Sequence, residues 1–368
     1  MPKETVRIRK GSILVYRCFD IAEEIDLAKA EKILAEVSGR ERLKLSRTSR
    51  PAIIVRNAPI TLTLGETPIT IGSDTVMAET SAKIWDYGVL SIVFQIPIAP
   101  GTRWQELQVK AAAIEVHHEI DQLARKRATQ LSETIHKSLQ KPGEWARFED
   151  YVIYFLEQVD GVETGQDLLD KADVTALIFA ESDGNLAKIN RDSLLEYVYQ
   201  YKENDMVIID WNSALVLEPS GQKEIPDVLE FALTHLLEMR YYDDLIDVRL
   251  SVLYDMIEAR RKKFGRYPFW KLSHEANSRY IEFSEFIGRV ENSLKVVGDF
   301  YLARIFRSAI RRFRVGDWQQ SISRKMGILA QVSELLQGEV NTQRSLLLEL
   351  VIIGLIAFEI IYALVRVH

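Results

Sequence analysis

Residues Leu346–Val365 read LLLELVIIGLIAFEIIYALV, and this run constrains the chain more than any other feature. Twenty residues make about 30 Å of helix, which matches the hydrocarbon core of a bilayer. The core helix of a soluble protein keeps a polar face. This run has none, and only Glu349 and Glu359 are ionisable within it, so the sequence predicts one membrane span. The start, MPKETVRIRKGSI, opens charged and resembles neither a signal peptide nor an Arg- and Ser-rich transit segment. The expectation is a soluble body followed by a C-terminal, single-pass anchor. Arg324, Lys325 and Arg344 precede the span and Arg366 follows it. The positive-inside bias then favours a body on the cytoplasmic side, which is the matrix side in a mitochondrion.

Composition excludes several classes. Hydrophobic residues make up 47% and charged residues 27%, which rules out a largely disordered or collagen-like chain. The net charge of −6 counts against a dedicated nucleic-acid binder. A single cysteine, Cys18, forbids an intrachain disulfide and any two-cysteine metal site.

The body divides into strand-like and helix-like segments. Strands are expected at Ile13–Phe19, Ala52–Val55, Ile60–Leu64 and Pro68–Ile71, and Ser81–Trp85 and Val89–Ile96 form a hairpin about Asp86-Tyr87-Gly88. Asp20 stands where an N-cap would start a helix over IAEEIDLAKAEKILAEV. Thr102 caps a second helix, from about Arg103 to Leu139, which Pro142-Gly143 ends. A second block has strands at Tyr151–Phe155 and Thr175–Phe179, a helix over Arg191–Tyr201, and a hairpin pairing Met206–Asp210 with Ala214–Leu217. From Pro226 the pattern is helical: Asp227–Arg261, then Glu275–Phe313, a break at Gly316-Asp317, and a third helix running into the span. The fold class is α+β, with two small strand-and-helix blocks (1–143 and 144–225), a long-helix stalk (226–344) and a transmembrane anchor (345–366).

Three segments carry a family resemblance: LEFALTHLLEMRYYDDLIDVRL (229–250), RVENSLKVVGDFYLARIFRSA (289–309) and LLELVIIGLIAFEI (347–360). They resemble the domain-of-unknown-function family that includes the "required for meiotic nuclear division" proteins of fungi and the related animal mitochondrial protein, most closely its bacterial members. GVLSIVFQIPI (88–98) and VIIDWNSALV (207–216) match more loosely. The resemblance implies a C-terminal membrane helix, no established enzymatic activity and an anchoring or supporting role. For the mitochondrial members that role is linked to translation.

No reaction is legible. His117-His118-Glu119, with Asp121 on the same helical face as His117, lacks the HExxH spacing of a metalloprotease. Phosphate-loop, dinucleotide and nucleophile-elbow motifs are missing from the sequence. Cys18 reads as a packed thiol. The chain is expected not to be an enzyme and to hold neither metal nor cofactor.

Three clusters stand out instead. Arg304, Arg307, Arg311 and Arg314 recur on one helix face with Arg312 beside them. Such a basic face holds anionic lipid or the phosphates of RNA or a ribosome, or is simply solvated and balanced by acidic neighbours. Asp243, Asp244 and Asp247 read as one side of an interhelical polar layer. A hairpin centred near Phe269 brings Asp244 opposite Lys295, which Glu291 and Asp299 flank. Within the span, Gly354 and Ala357 form a close-approach patch, with Glu359 beside it and Glu349 near the entry interface. The expected partners are the lipid bilayer, a second copy of the chain and an unidentified protein, with RNA or a ribosome as the alternative.

Overall fold

The computed structural model describes residues 6–38, 44–47, 58–143, 147–181, 188–262 and 300–366, with single positions between 271 and 284. They fall into two units: 1–241 with 293–316, and 242–292 with 317–368. The fold is α+β, a sheet-rich first part followed by helices, the last of them apolar towards its C-terminal end.

The first unit is built on one sheet. In chain order its parts are β1 (Arg7–Asp20), β2 (Ala22–Ile25), α1 (Leu27–Ser38), β3 (Lys44–Arg47), β4 (Ile60–Ile71), β5 (Asp74–Ile84), β6 (Val89–Pro97) and β7 (Thr102–Arg103). There follow α2 (Trp104–Glu115), α3 (His118–Thr134), β8 (Leu139–Pro142), β9 (Glu149–Val159), α4 (Gly165–Lys171), α5 (Val174–Ile178), α6 (Lys188–Leu195), β10 (Val198–Tyr199), β11 (Met206–Ile209) and β12 (Ser213–Leu217). The strand order is β10-β11-β12-β9-β1-β6-β5-β4-β3, with β7 also paired to β1. β12 runs parallel to β9, and the other pairs are antiparallel. Strands on either side of residue 143 therefore share one sheet: β1, from the first expected block, pairs with β9, from the second.

β1 shows why the central strands read as unbroken apolar runs. Ile13, Val15 and Phe19 join the core that α1 to α6 cover, and the alternate residues Leu14, Tyr16, Cys18 and Asp20 are buried as well. A strand buried on both faces loses the apolar–polar alternation of a half-exposed one. The second face is covered by the start of α7 (Glu224–Lys262) and by α8 (Phe300–Arg312). Phe231 of α7 packs on Trp85 and on Phe306, and Phe313 meets Tyr151 edge-on. Residues 226–241 and α8, assigned from sequence to the stalk, thus serve as a layer of the sheet domain.

Local chemistry moved several boundaries. The first helix begins at Leu27 rather than after Asp20, because the Asp26 carboxylate accepts the Lys29 amide at 3.0 Å. Asp20 is instead a buried strand residue. The helix expected over Arg103–Leu139 is two helices, parted where His117 leaves helical geometry (φ −89°, ψ 81°) and its ring accepts the Ile120 amide. Thr102 is in β7 and caps no helix; Arg103 is the N-cap of α2. Val174–Ile178 is a helix, not a strand, with Asp173 capping the Ala176 amide at 3.2 Å. A five-residue apolar run is ambiguous until such a cap is recognised. The helix expected over Arg191–Tyr201 ends at Leu195, and the alternation Tyr197-Val198-Tyr199 then makes a strand. The hairpins at β5–β6 and β11–β12 form in the expected places. The first needs a glycine: Gly88 has φ +96°, and a Cβ there would lie 1.7 Å from the Ala22 carbonyl oxygen.

In the second unit α7 continues from Tyr242, and α9 (Val315–Arg366) supplies most of the rest. The break before α9 falls at Arg314 (φ 54°), two residues ahead of the expected Gly316-Asp317. Ala52–Val55, Phe269, Glu291, Lys295 and Asp299 lie outside the described residues.

Candidate functional site

Beneath α7 runs a buried polar row. Asp227, Glu230, Thr234 and Glu238 recur at spacings of three and four, so they share one helix face. Lys83 of β5 reaches two of them, its Nζ lying 2.8 Å from Asp227 Oδ1 and 2.5 Å from Glu230 Oε2. Burial pulls the Lys83 ammonium towards neutrality, but the charges of Glu230 and Asp227 outweigh it and raise its pKa, so it stays charged. The Tyr87 hydroxyl bonds Thr234 Oγ1 at 2.8 Å. His235 donates from Nδ1 to the Phe231 carbonyl at 2.7 Å. Burial lowers its pKa to about 4, against the pull of that bond, so the ring is neutral at physiological pH.

Farther along, the carboxyls of Asp20 and Glu238, each 4% exposed, share a hydrogen bond. Burial pushes Asp20 up to about 7, although the bond from Glu238 works the other way. Two carboxyls in such contact share a proton, which belongs to the pair. Glu149 of β9 accepts from Arg240 Nη1 at 2.5 Å, and burial raises it to about 7 despite that partner. The row ties the start of α7 to β5, to β9 and to Tyr87 in the β5–β6 turn. Cys18 lies on the same sheet face, beside Ser91 at 3.6 Å, and burial pushes its thiol far above the nucleophilic range.

The arginine run is divided between two tasks. Arg312 donates through Nε (2.9 Å) and Nη2 to Asp210 and lies over the Tyr197 ring. Arg311 Cζ is 5.0 Å from the Tyr197 centroid, and Arg304 Cζ is 5.1 Å from that of Tyr199. Ser308 donates to the Tyr199 hydroxyl at 2.6 Å, which seats α8 on the edge strand β10. Arg304, Arg307, Arg311 and Arg314 are exposed.

In the second unit, Lys325 of α9 places Nζ 2.8 Å from Asp243 Oδ1 and 2.6 Å from Asp247 Oδ2. Two of the three expected aspartates thus belong to a polar layer, with Lys325 as the observed cation. Asp244 is half-buried. His117 is occupied by Thr70, its Nε2 lying 2.5 Å from the carbonyl oxygen. Among the described residues no group of three or more His, Cys, Asp and Glu side chains is placed to hold a metal. α9 contains one helix long and apolar enough to cross a membrane, and none of its apolar window is buried. Glu349, Gly354, Ala357 and Glu359 are all exposed along it, and Phe358 stacks on Tyr362.

Sequence reasoning missed Lys83, Tyr87, Glu238 and Lys325. A lysine flanked by the apolar residues Ala82 and Ile84 was the available signal for the first. The tyrosines at 197, 199 and 201 announced a strand face.

Residues 10–224 match the family described as "Uncharacterized protein MJ0711, N-terminal domain", more than half of the 368 residues. The chain belongs to this family. It is 25% identical over 177 residues to the uncharacterized protein MJ0711 of Methanocaldococcus jannaschii, covering 48% of this chain and 54% of that protein. The chain therefore spans about half the length of the curated relative it matches. No solved structure matches. The MJ0711 domain corresponds here to the sheet and the helices α1 to α6; α8 and α9 lie beyond residue 224. The arginine row, the Lys325 clamp and the apolar helix thus lie outside the matched segment.

Proposed function

We propose that this chain is a non-enzymatic adaptor, anchored in a membrane by α9 and self-associating through that span, with its sheet domain held at the cytoplasmic face. The observation that carries the reading is the apolar, wholly exposed window of α9. A helix bare of any polar stripe has water as a poor solvent and hydrocarbon as a good one. Orientation follows from Arg324, Lys325 and Arg344 ahead of the run, although Lys325 is partly neutralised by its aspartates. The non-enzymatic reading is supported by the burial of Cys18 and His235, two side chains with nucleophile or base chemistry. The likeness of 229–250, 289–309 and 347–360 to the meiotic nuclear division proteins and their bacterial relatives supports a supporting, anchoring role.

Self-association rests on Glu359. A carboxyl near mid-bilayer costs about 2.5–3.5 kcal/mol unless it finds a partner, and a protonated one donates and accepts across a helix pair. Gly354 and Ala357 let a second helix approach. Glu359→Leu is expected to weaken association in a bilayer reporter assay by about 1–2 kcal/mol, while inserting more readily. Unchanged association would contradict the span contact and move it to residues 226–344.

A further inference from the structure

The tyrosines on and beside the edge strand β10 meet α8 in register. Tyr201 lies against Tyr301 with ring centroids 5.2 Å apart, Tyr199 under Arg304 at 5.1 Å, and Tyr197 under Arg311 and Arg312 at 5.0 and 4.5 Å. All of these residues belong to the first unit. Arg312 is engaged by Asp210. Arg304, Arg307 and Arg311 are exposed and recur at spacings of four and three, a row about 10 Å long. Like charges so spaced repel one another, yet among the described residues none of the three makes an ion pair. Carboxylates on the adjoining loops are engaged locally. Asp205 accepts the amides of Tyr201 and Lys202 at 2.7 and 2.9 Å, and Glu218 accepts from Ser220 at 2.6 Å. A guanidinium held over a tyrosine ring keeps its charge, its in-plane N–H groups and its outer plane. The N–H fork fits phosphate oxygens, and the plane is a surface on which an unpaired base stacks. Two aromatic side chains beside the row stand open: Tyr201, 69% exposed, and Trp211, 39% exposed, in the turn between β11 and β12.

We propose that this face binds single-stranded nucleic acid, with phosphates on Arg304, Arg307 and Arg311 and bases stacked on the tyrosine-backed guanidinium planes and on Tyr201. The occupant follows from the combination of charge and rings. A free anion, an acidic peptide or a lipid headgroup uses the charges and leaves the stacking surfaces idle. A duplex keeps its bases stacked inside itself. A strand with unpaired bases uses both at once. The surface is complete within the first unit, so the inference stands apart from the anchor reading. The net charge of −6 supplies no long-range attraction for a polyanion. Affinity then comes from this face and falls with salt.

The test follows the fluorescence anisotropy of a labelled oligouridylate of about 12 nucleotides, titrated with the full chain in a non-ionic detergent. The logarithm of the binding constant is expected to fall with the logarithm of salt at a slope of about −2, roughly 0.7 for each of the three arginines. Arg304→Gln and Arg311→Gln should each weaken binding on the order of fivefold and take about 0.7 off that slope. Arg304→Lys and Arg311→Lys should keep the slope and still lose on the order of fivefold, because an ammonium offers no plane to a base. Tyr201→Ser should lose about as much with the slope unchanged. All three residues are exposed, and unaltered thermal unfolding would show that the variants keep their fold. The absence of binding at low salt overturns the proposal. So do lysine variants that bind like the parent, or a slope that the glutamine variants leave unmoved. Polyglutamate, an RNA duplex or phosphatidylglycerol that competes as well as the oligouridylate also overturns it, marking a general anion, duplex or lipid site instead.

Discussion

Ending the chain at Arg344 is expected to move the protein from a membrane fraction that resists alkaline carbonate to the soluble fraction. The magnitude comes from residues 346–365, of which fourteen are Leu, Ile, Val or Phe. Each is worth about −0.3 to −0.6 kcal/mol at the centre of a bilayer, so together they supply roughly −4 to −8 kcal/mol. Glu359 gives back about 2.5–3.5 kcal/mol if it stays charged. Glu349 lies near the interface and gives back less. At the middle of these ranges the balance favours insertion even with both glutamates present. The truncated chain keeps every strand of the sheet domain along with α7 and α8, so its recovery as a folded soluble protein is part of the expectation. A full-length chain that washes off in carbonate would mean that another surface covers the helix.

Lys83→Met is expected to destabilise the sheet domain by about 3–5 kcal/mol, the usual loss when one partner of a buried ion pair is removed. Lys83 stands between Asp227 and Glu230, and Glu230 is 2% exposed. Without the ammonium, two carboxylates face each other against the sheet. The effect has a pH signature with a definite sign. Burial already raises the Glu230 carboxyl, against the opposing pull of Lys83; loss of Lys83 raises it further. A carboxyl raised in the folded state above its unfolded value of about 4.3 gives stability that is full below that value and lost as pH rises through the folded one. The variant should therefore recover between about pH 7.5 and pH 5, and do so more steeply than the parent. In the parent, Asp20 and Glu149, both near 7, slope the same way. His235, lowered to about 4, slopes the opposite way, its contribution being lost as pH falls from about 6.5 towards 4. Chemical denaturation of both proteins across this range measures the difference. Equal stability at pH 7.5 would show that the row under α7 carries no load.

The elements legible in the sequence are those governed by local pattern. The apolar run became the end of α9, and Val89–Ile96 and Met206–Asp210 became hairpin strands beside turns rich in Gly, Asn and Asp. What escaped depended on contacts between distant segments. The segment after Asp20 looked helical because Ala and Glu favour helices, yet pairing of Ala22–Ile25 with Leu139–Pro142 holds it as a strand. Thr175–Phe179 carries β-branched residues, and its helix comes from the Asp173 cap and burial on every side. The expected pairing of Asp244 with Lys295 lies outside the described residues. Asp243 and Asp247 were read as one side of a polar layer, and among the described residues both meet Lys325, some eighty residues away. No periodicity connects those positions; only the path of the chain between them does. The arginine run was visible as a stripe, whereas its seating on Tyr197 and Tyr199 needed β10 to be a strand, where the sequence had favoured a helix.

Water accessibility along α9 in sealed membranes tests the span directly. Gly338→Cys, Ile352→Cys and Ile356→Cys, made singly in the full chain, are treated with a membrane-impermeant maleimide. Cys18 is sealed in the core with its thiol pushed up by burial, so it contributes little background. Prompt labelling is expected through Gly338→Cys, and none through Ile352→Cys or Ile356→Cys until detergent is added. Labelling at 352 and 356 as fast as at 338, in intact membranes, would contradict a span and return α9 to water.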